Sequence, residues 1–371
     1  MSLVAAKCTQ CGANIEVDNK NDAAICPCCN TAFIVEKAIN NYVTQNITVN
    51  IGTAKKDFSI VAGELKKYRG ESPTVIIPDN VSIIGAEAFS QMNITSVVIP
   101  ASVVRIDNNA FEYCEMLTTV TLNSGLKEIG EEAFCRCSML TEINIPASVT
   151  KIEKSAFIGC FNLKSVDIGA GVSEIADKAF SGCRSIAEIK IPGNVKKIGS
   201  AAFEYCTSLQ KLTLCEGVET IENNAFSKSE ITEITIPKSL KSAVNAFAGC
   251  DNLEKARFAD GIKSACPCVF KHCTNLYEII FPSTIEEIGE EAFSSCPSLG
   301  EITLPETIKK IDRYAFFASG IRKLTIKGAD ISIGHMAFEQ CTRLNLVLVP
   351  KQLKRTLKHA FGSAKVKPYV E

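Results

Sequence analysis

Apolar residues recur through most of the chain with a period near 23 residues, and a phenylalanine is the most regular of them. This phenylalanine returns thirteen times, and its spacing of 23 residues shortens in a few places to 21 or 22. The positions are Phe89, Phe111, Phe134, Phe157, Phe180, Phe203, Phe226, Phe247, Phe270, Phe293, Phe316, Phe338 and Phe361. A repeat of this length predicts stacked structural units, each of which buries its apolar side against the next.

The segment from Pro146 to Ile168 shows the apolar spacing of one unit most clearly. Val149 and Ile152 are three residues apart before the phenylalanine, and Leu163 and Val166 are three apart after it. This spacing fits neither a helix nor a plain alternating strand. It resembles the leucine-rich repeat pattern, in which each coil of a solenoid points its Leu and Ile side chains inward.

A short motif surrounds the phenylalanines. Alanine precedes them in twelve of the thirteen units, and cysteine follows by three residues in nine. In those nine units the next apolar residue comes one position later than in the other four, so we expect the cysteine to fill an inward slot of a longer turn. The column includes Cys114, Cys137, Cys160, Cys183 and Cys206. We expect free thiols there, because stacked side chains point in parallel, and small buried side chains at Cys135 and Cys215 as well.

The repeats and their xxAFxxC turn resemble the BspA-like class of bacterial leucine-rich repeats over roughly residues 73–371. The resemblance implies a right-handed superhelical solenoid of about 13 coils with a binding role. We assign this fold to the α/β class. Many relatives are exported or surface-attached adhesins, so a surface adhesin is one interpretation of the function.

Residues 1–37 follow a different pattern, with two CxxC knuckles that are separated by 14 residues. The cysteines Cys8, Cys11, Cys26 and Cys29 can surround one metal ion tetrahedrally, and alternating apolar residues beside them predict short strands. The segment resembles a zinc ribbon. A rubredoxin-like iron site and disulfides in an exported protein are the competing interpretations. Four protein ligands close the coordination sphere, so we expect a structural zinc and not a catalytic one.

Residues 38–72 lie between the predicted ribbon and the predicted solenoid at 73–371. The part from Ala38 to Gln45 is polar without a turn signal, so it could be a short helix or an extended linker. The last coil at each end of a solenoid exposes its core, and an atypical terminal unit is therefore expected. We assign 38–72 to a linker and an N-terminal cap.

The overall charge of the chain does not indicate a class of binding partner. With 40 basic and 41 acidic residues the formal net charge is −1, so no field attracts nucleic acid or an anionic membrane. Zinc ribbons often occur in nucleic-acid machinery, but residues 1–45 lack a basic stripe. No apolar run approaches the roughly 18 residues of a membrane span, and the apolar stretch Leu3–Ala6 is too short for a signal peptide. We expect a cytoplasmic protein.

Catalytic motifs are missing from the sequence. There is no glycine-rich phosphate loop or nucleophile elbow, and the three histidines fall in separate units: His272, His335 and His359. A second metal site at Cys266, Cys268, His272 and Cys273 is not expected, because Cys273 already belongs to the cysteine column by register. The sequence therefore indicates a protein that is not an enzyme.

A candidate partner site lies toward the C-terminal end. Each coil has a strand with two outward positions, and acids and bases alternate there as on a solvated sheet. At the last coils these positions become leucine, and basic residues follow. The candidate residues are Ile280, Leu346, Leu348, Lys351, Lys354 and Arg355. An apolar patch with a basic rim predicts docking of an acidic protein segment, whereas the alternative is that the basic residues only solubilise the last coil.

The sequence therefore predicts a non-enzymatic, cytoplasmic protein-interaction scaffold, with a structural zinc ribbon joined to a long repeat surface. The partner is a protein of unknown identity, and neither nucleic acid nor membrane is expected. A surface adhesin is the second interpretation, and a nucleic-acid-binding protein is the third.

Overall fold

Two units make up the chain, Met1–Phe58 and Ser59–Glu371. The structure is a computed structural model that describes four short strands in residues 3–34, then residues 54–355 and 360–368, with side chains from residue 56 onward. The first unit contains two antiparallel strand pairs, Leu3–Lys7 with Asn14–Asp18 and Ala23–Ile25 with Ala32–Ile34. It ends in the short helix Ala54–Asp57.

Each coil of the second unit contributes a short strand to one side of the solenoid, here called face A. Glu64–Tyr68 and the strands after it pair in parallel, so that Ile106 lies between Ile84 and Ile129. This sheet ends at Ser242–Ala243, and a second parallel sheet begins at Ser264–Ala265. The strands are Phe58–Val61, Glu64–Tyr68, Ile83–Ile84, Arg105–Ile106, Glu128–Ile129, Lys151–Ile152, Glu174–Ile175, Lys197–Ile198, Thr220–Ile221, Ser242–Ala243, Ser264–Ala265, Glu287–Ile288, Lys310–Ile311 and Ser332–Ile333.

A second side of the solenoid, face B, is built from the strand that follows the phenylalanine in each coil. These strands form four parallel sheets in succession, with breaks after Thr119–Thr121, Ser165–Asp167 and Glu278–Ile280. Its strands alternate between inward apolar and outward polar positions, as in the exposed–buried pattern of Glu188–Ile191. The strands are Thr74–Ile76, Ser96–Val98, Thr119–Thr121, Glu142–Asn144, Ser165–Asp167, Glu188–Ile191, Lys211–Leu214, Glu233–Ile236, Lys255–Phe258, Glu278–Ile280, Glu301–Leu304, Lys323–Ile326, Leu346–Val349 and Lys365–Pro368.

The third side of each coil is a turn centred on the phenylalanine. In the coils from Phe89 to Phe338, the residues two before and two after it have left-handed backbone, as at Asn109 (φ 58°) and Tyr113 (φ 55°). Left-handed residues cannot continue a right-handed helix, so this side is not helical. Helix in the described residues is limited to Ala54–Asp57 and one turn of 3-10 helix. The α/β class is therefore corrected to a β-solenoid of about 13 turns.

The 3-10 turn, Lys351–Leu353, follows the strand Leu346–Val349 in the last coils.

Three backbone hydrogen bonds between neighbouring turns run in the same direction in coil after coil. The amide of the phenylalanine, and the amides two positions before and after it, donate to carbonyl groups of the next coil. In one coil Asn109, Phe111 and Tyr113 donate to Glu131, Ala133 and Cys135 at 2.8 to 2.9 Å. The pattern continues to Tyr314, Phe316 and Ala318, which donate to His335, Ala337 and Glu339. The turns are thus stacked by a backbone ladder that is separate from the sheets of faces A and B.

The phenylalanine rings form one continuous stack through the core. The rings of Phe111 and Phe134, for example, have centroids 5.0 Å apart and planes 1° apart, and both side chains are fully buried. Burial of each ring stabilises the array by about 1.5–3 kcal/mol. Tyr68 extends the stack at one end, 5.2 Å from Phe89, and Phe361 ends it with a tilted ring. Tyr68 thus takes the place of the phenylalanine in the first coil.

The cysteine column lies inside the array, as predicted. The Cys137 thiol donates to the carbonyl oxygen of Phe111 in the preceding coil, 3.2 Å away, and the same contact recurs down the column. All thirteen cysteines that the structure describes are free thiols. The longer turn therefore places a small buried donor beside a carbonyl group of the neighbouring coil, which explains why cysteine occupies the slot.

Candidate functional site

The four predicted zinc ligands, Cys8, Cys11, Cys26 and Cys29, lie outside the described residues. The strands on either side of them are described. In sequence, the first CxxC falls between the paired strands Leu3–Lys7 and Asn14–Asp18, and the second falls between the two strands of the other pair. The zinc site stays a prediction.

Outward side chains of face B pair with each other from one coil to the next. Three ion pairs have N–O distances of 3.1 to 3.3 Å: Glu188–Lys211, Lys255–Glu278 and Glu301–Lys323. Because these pairs are solvent exposed, each stabilises the fold by only about 0–1 kcal/mol. Acids and bases are thus interspersed along the middle of face B, which is typical of a solvated sheet.

The last two strands of face B have a different surface. Leu346 lies opposite Lys365, and Leu348 lies opposite Lys367. Both leucines are half-buried, and both lysines are exposed. The two apolar side chains predicted to face outward therefore do so, and they lie beside a row of lysines that the sequence pattern had not connected with them.

The basic character of this end extends beyond the sheet. Lys351, Lys354 and Arg355 are exposed in and just after the 3-10 turn. Among the residues that the structure describes, none of these three side chains, nor Lys365 or Lys367, forms an ion pair. Exposed positive charges without an acidic partner create a positive electrostatic potential at this surface. We call these five basic residues, with Leu346 and Leu348, the C-terminal surface.

Ile280 is not part of the C-terminal surface. Two coils of face B separate it from Leu346 and Leu348, a distance on the order of 14 Å at the usual strand spacing. It borders instead a hollow of about 760 Å³ beside Lys255 and Arg257. The predicted apolar patch is therefore shorter than the sequence indicated, because Ile280 shares a column with Leu348 without being its neighbour.

The residues Cys266, Cys268, His272 and Cys273 do not come together as a group of metal ligands in the described part of the chain. Cys273 is fully buried, and its thiol donates to the Phe247 carbonyl oxygen at 3.3 Å. His272 is exposed on the turn side. The expectation that Cys273 belongs to the cysteine column is confirmed.

The turn side carries exposed residues that the strand-based prediction missed, among them Tyr113, Met116 and Met139. Two cation–π contacts lie nearby. The Arg136 guanidinium is 5.7 Å from the Tyr113 ring centroid, and the Arg184 guanidinium is 5.0 Å from that of Phe161. The only sequence signal for these residues is that they occupy variable positions just after the phenylalanine.

Among the described helices, none is long and apolar enough to cross a membrane. Comparison with protein families gives one match, to the BspA type leucine rich repeat region in six copies. The matched segments are residues 68–187, 136–253, 173–276 and 266–368. Comparison with curated proteins gives no match.

Several solved structures are similar to this chain. A leucine-rich repeat protein from Bacteroides ovatus ATCC 8483 is 26% identical with a TM-score of 0.54, over 83% of this chain and 94% of that one. The pneumococcal vaccine antigen PcpA is 21% identical with a TM-score of 0.50, over 84% and 96%. A leucine rich cell surface protein from Faecalibacterium prausnitzii A2-165 is 28% identical with a TM-score of 0.44, over 83% and 96%. The first two likenesses agree with the repeat fold described above.

Proposed function

Because this chain belongs to the BspA type leucine-rich repeat family, we propose that it is a non-enzymatic scaffold that binds a protein partner. Proteins with this fold generally bind other proteins through their repeat surfaces. The C-terminal surface is the part of the array that fits such a role best. The observation that carries the proposal is the change along face B from interspersed acids and bases, six of which form ion pairs, to lysines without an acid beside half-buried leucines.

The chemistry of the C-terminal surface selects an acidic partner. Carboxylates of the partner would reach Lys365 and Lys367, while an apolar side chain would cover Leu346 and Leu348. Complementary charge of this kind speeds association and fixes orientation more than it adds affinity. The apolar contact supplies most of the binding free energy, because burial of apolar area is favourable by about 25 cal/mol per Å².

The alternative role for the same residues is protection of the last strand. Lys365–Pro368 is the final strand of its sheet, and lysine and proline on an edge strand discourage pairing between copies. Under that interpretation the basic residues matter for solubility and bind no partner. Substitution of these residues would weaken partner binding under the first role, and it would affect only solubility under the second.

A double variant tests the proposal. Proteins captured by the full chain are identified, and their binding to purified wild type and to Leu346→Asp with Lys354→Glu is measured by calorimetry. We expect at least a tenfold loss of affinity with little change in the melting temperature. Thr119→Asp with Lys164→Glu makes the same charge change near the other end of the array and should bind normally. Equal binding by both double variants would leave the C-terminal surface with only its protective role.

We also propose that Cys8, Cys11, Cys26 and Cys29 hold one structural zinc ion. Four thiolates suit a closed tetrahedral site, and the two CxxC motifs fall between paired strands. Zinc would then stabilise a segment that is too short to form a large core of its own.

The proposed location is the cytoplasm, where thiols stay reduced. A surface adhesin is the second candidate, and membership of the BspA type family favours it. Fractionation of the source cells with an antibody against the chain separates the two. Recovery with the soluble cell contents supports the scaffold, whereas recovery with the envelope or the medium supports the adhesin.

A further inference from the structure

Two glutamates and a cysteine meet on the turn side, where the coils of Phe111 and Phe134 stack. One ligand atom from each of Glu112, Glu132 and Cys135 lies within 4.8 Å of the others. Glu112 and Cys135 hold the same position in adjacent coils, directly after the phenylalanine. Among the described residues, this is the one group of three such side chains with its ligand atoms this close together.

The Cys135 thiol differs from the thiols of the cysteine column. It is only 7% exposed, yet it makes no hydrogen bond within the described part of the chain. Each column thiol, by contrast, donates to a phenylalanine carbonyl group, as Cys160 does to Phe134 at 3.2 Å. Cys135 therefore points a buried sulfur without a partner at two carboxylates.

A second pair of coils holds opposite charges at the same two positions. In the coils of Phe270 and Phe293, the positions equivalent to Glu112 and Glu132 are Lys271 and Glu291. These two side chains form an ion pair. The same contact between Phe111 and Phe134 brings two carboxylates together, and the position of the lysine ammonium is taken by a second acid. A cation between the carboxylates would restore the charge balance that the other pair has.

One carboxylate is already held in place. The Asn109 side-chain amide donates to Oε2 of Glu132 at 3.2 Å, which leaves the other oxygen of Glu132 free. The Tyr113 amide donates to the Cys135 carbonyl oxygen at 2.8 Å, and this bond fixes the two coils side by side. The backbone that carries these three side chains is therefore fixed by the hydrogen bonds between the two coils.

We propose that Glu112, Glu132 and Cys135 bind one thiophilic divalent cation, zinc or its analogue cadmium, and so link the coils of Phe111 and Phe134. A thiolate with two carboxylates suits zinc, whereas magnesium and calcium prefer oxygen ligands alone. On binding, the thiol proton leaves to solvent and the sulfur takes the metal. Three protein ligands leave one coordination position for water. This site is independent of the proposed N-terminal zinc site and of the partner surface.

The test counts metal in the full chain. Wild type, Cys135→Ala and Glu132→Gln are incubated with zinc, desalted and analysed for metal per chain. We expect each variant to hold one equivalent less than wild type. The matched controls are Cys215→Ala and Glu131→Gln, which remove a thiol and a neighbouring acid outside the group and should hold as much as wild type. The measured quantity is the difference in bound metal between wild type and each variant. Metal held by the N-terminal cysteines is present in both and cancels.

Cadmium gives a second measurement. When cadmium is added, the ultraviolet absorbance of the cadmium–thiolate charge-transfer band should rise more in wild type than in Cys135→Ala. The difference should equal the contribution of one cadmium–sulfur bond. Glu132→Gln should bind the cadmium ion that produces this difference at least tenfold more weakly than wild type. The proposal is overturned if wild type and Cys135→Ala bind the same amount of both metals, or if Glu131→Gln loses as much as Glu132→Gln. Circular dichroism melts without metal show whether each variant remains folded.

Discussion

The thiol of Cys160 donates a hydrogen bond to the carbonyl oxygen of Phe134 in the preceding coil, 3.2 Å away. The same oxygen also accepts the Cys137 amide at 3.2 Å. The cysteine of one coil thus completes the hydrogen bonding of the turn before it. This contact links two of the recurring residues of the repeat motif, the phenylalanine and the cysteine.

Cys160→Ala should destabilise the array by about 1–2 kcal/mol, because it removes a buried donor and leaves a small cavity. Chemical denaturation monitored by circular dichroism measures the change. Cys215→Ala is the matched control, since Cys215 is only partly buried and lies outside the column. Its effect should stay within about 0.5 kcal/mol. An equal cost at both positions would mean that the contact with Phe134 contributes nothing.

The column thiols should resist alkylation in the native protein. Burial raises the pKa of Cys206 and of Cys296 to about 12, so the reactive thiolate is nearly absent at neutral pH. Mass spectrometry after brief treatment with iodoacetamide should find label at the partly exposed Cys215, Cys266 and Cys268 before the buried column thiols. Rapid labelling of Cys160 or Cys183 without denaturant would contradict the buried placement of the column.

Stability should fall as the pH rises above about 9. The thiol of Cys206 has a raised pKa in the folded array, so it stays protonated there while the unfolded chain loses its proton near the ordinary value of 9.0. The unfolded state then binds fewer protons, and stability is present below pH 9 and lost above it. Urea midpoints at pH 8 and pH 10 measure the loss. Cys160→Ala with Cys183→Ala should show a smaller loss, and an unchanged loss would assign it to other groups.

Phe180→Ala should cost about 3–5 kcal/mol, because the ring is fully buried between the rings of two neighbouring coils. Phe161→Ala is the control. Phe161 is half-buried on the turn side, where Arg184 covers it, and its loss should cost clearly less. Denaturant melts of both variants give the comparison. A cost under about 1 kcal/mol for Phe180→Ala would mean that the stack is not the core of the array.

One zinc ion per chain should be lost when the N-terminal cysteines are replaced. Protein purified without added zinc is analysed for metal as wild type and as Cys8→Ser with Cys11→Ser. We expect a difference of one zinc, because removal of two of four ligands opens the site. Iron in place of zinc, or disulfides without metal, would favour one of the two competing interpretations of these cysteines.

The repeat register made much of the array predictable. A position fully buried in one coil is buried in the next, so the inward phenylalanines, alanines and cysteines follow from spacing alone. The outward place of Leu346 and Leu348 follows from strand alternation in the same way. Both inferences need only the inward or outward direction of a position within its own coil. They do not need to know which side chains face each other between coils, so the sequence was sufficient for them.

Contacts between coils were harder to predict. The left-handed turns escaped notice because residues as different as Tyr113 and Lys178 adopt them, and glycine occurs there only in some coils, as at Gly159. The assignment to the α/β class was corrected for this reason. The group around Cys135 depends on which side chains face each other across the stack, and Ile280 was joined to the wrong neighbours because a column was treated as a patch.

The ladder of turn amides gives the turn side of the array a direction of its own. Its N–H groups point toward the C-terminal end and its carbonyl groups toward the other. Amides beside face A donate the opposite way, as Asp107 and Gly130 do to Ile84 and Ile106 of the preceding coil. The two sets of peptide dipoles oppose each other, so they do not add along the array as they do in an α-helix.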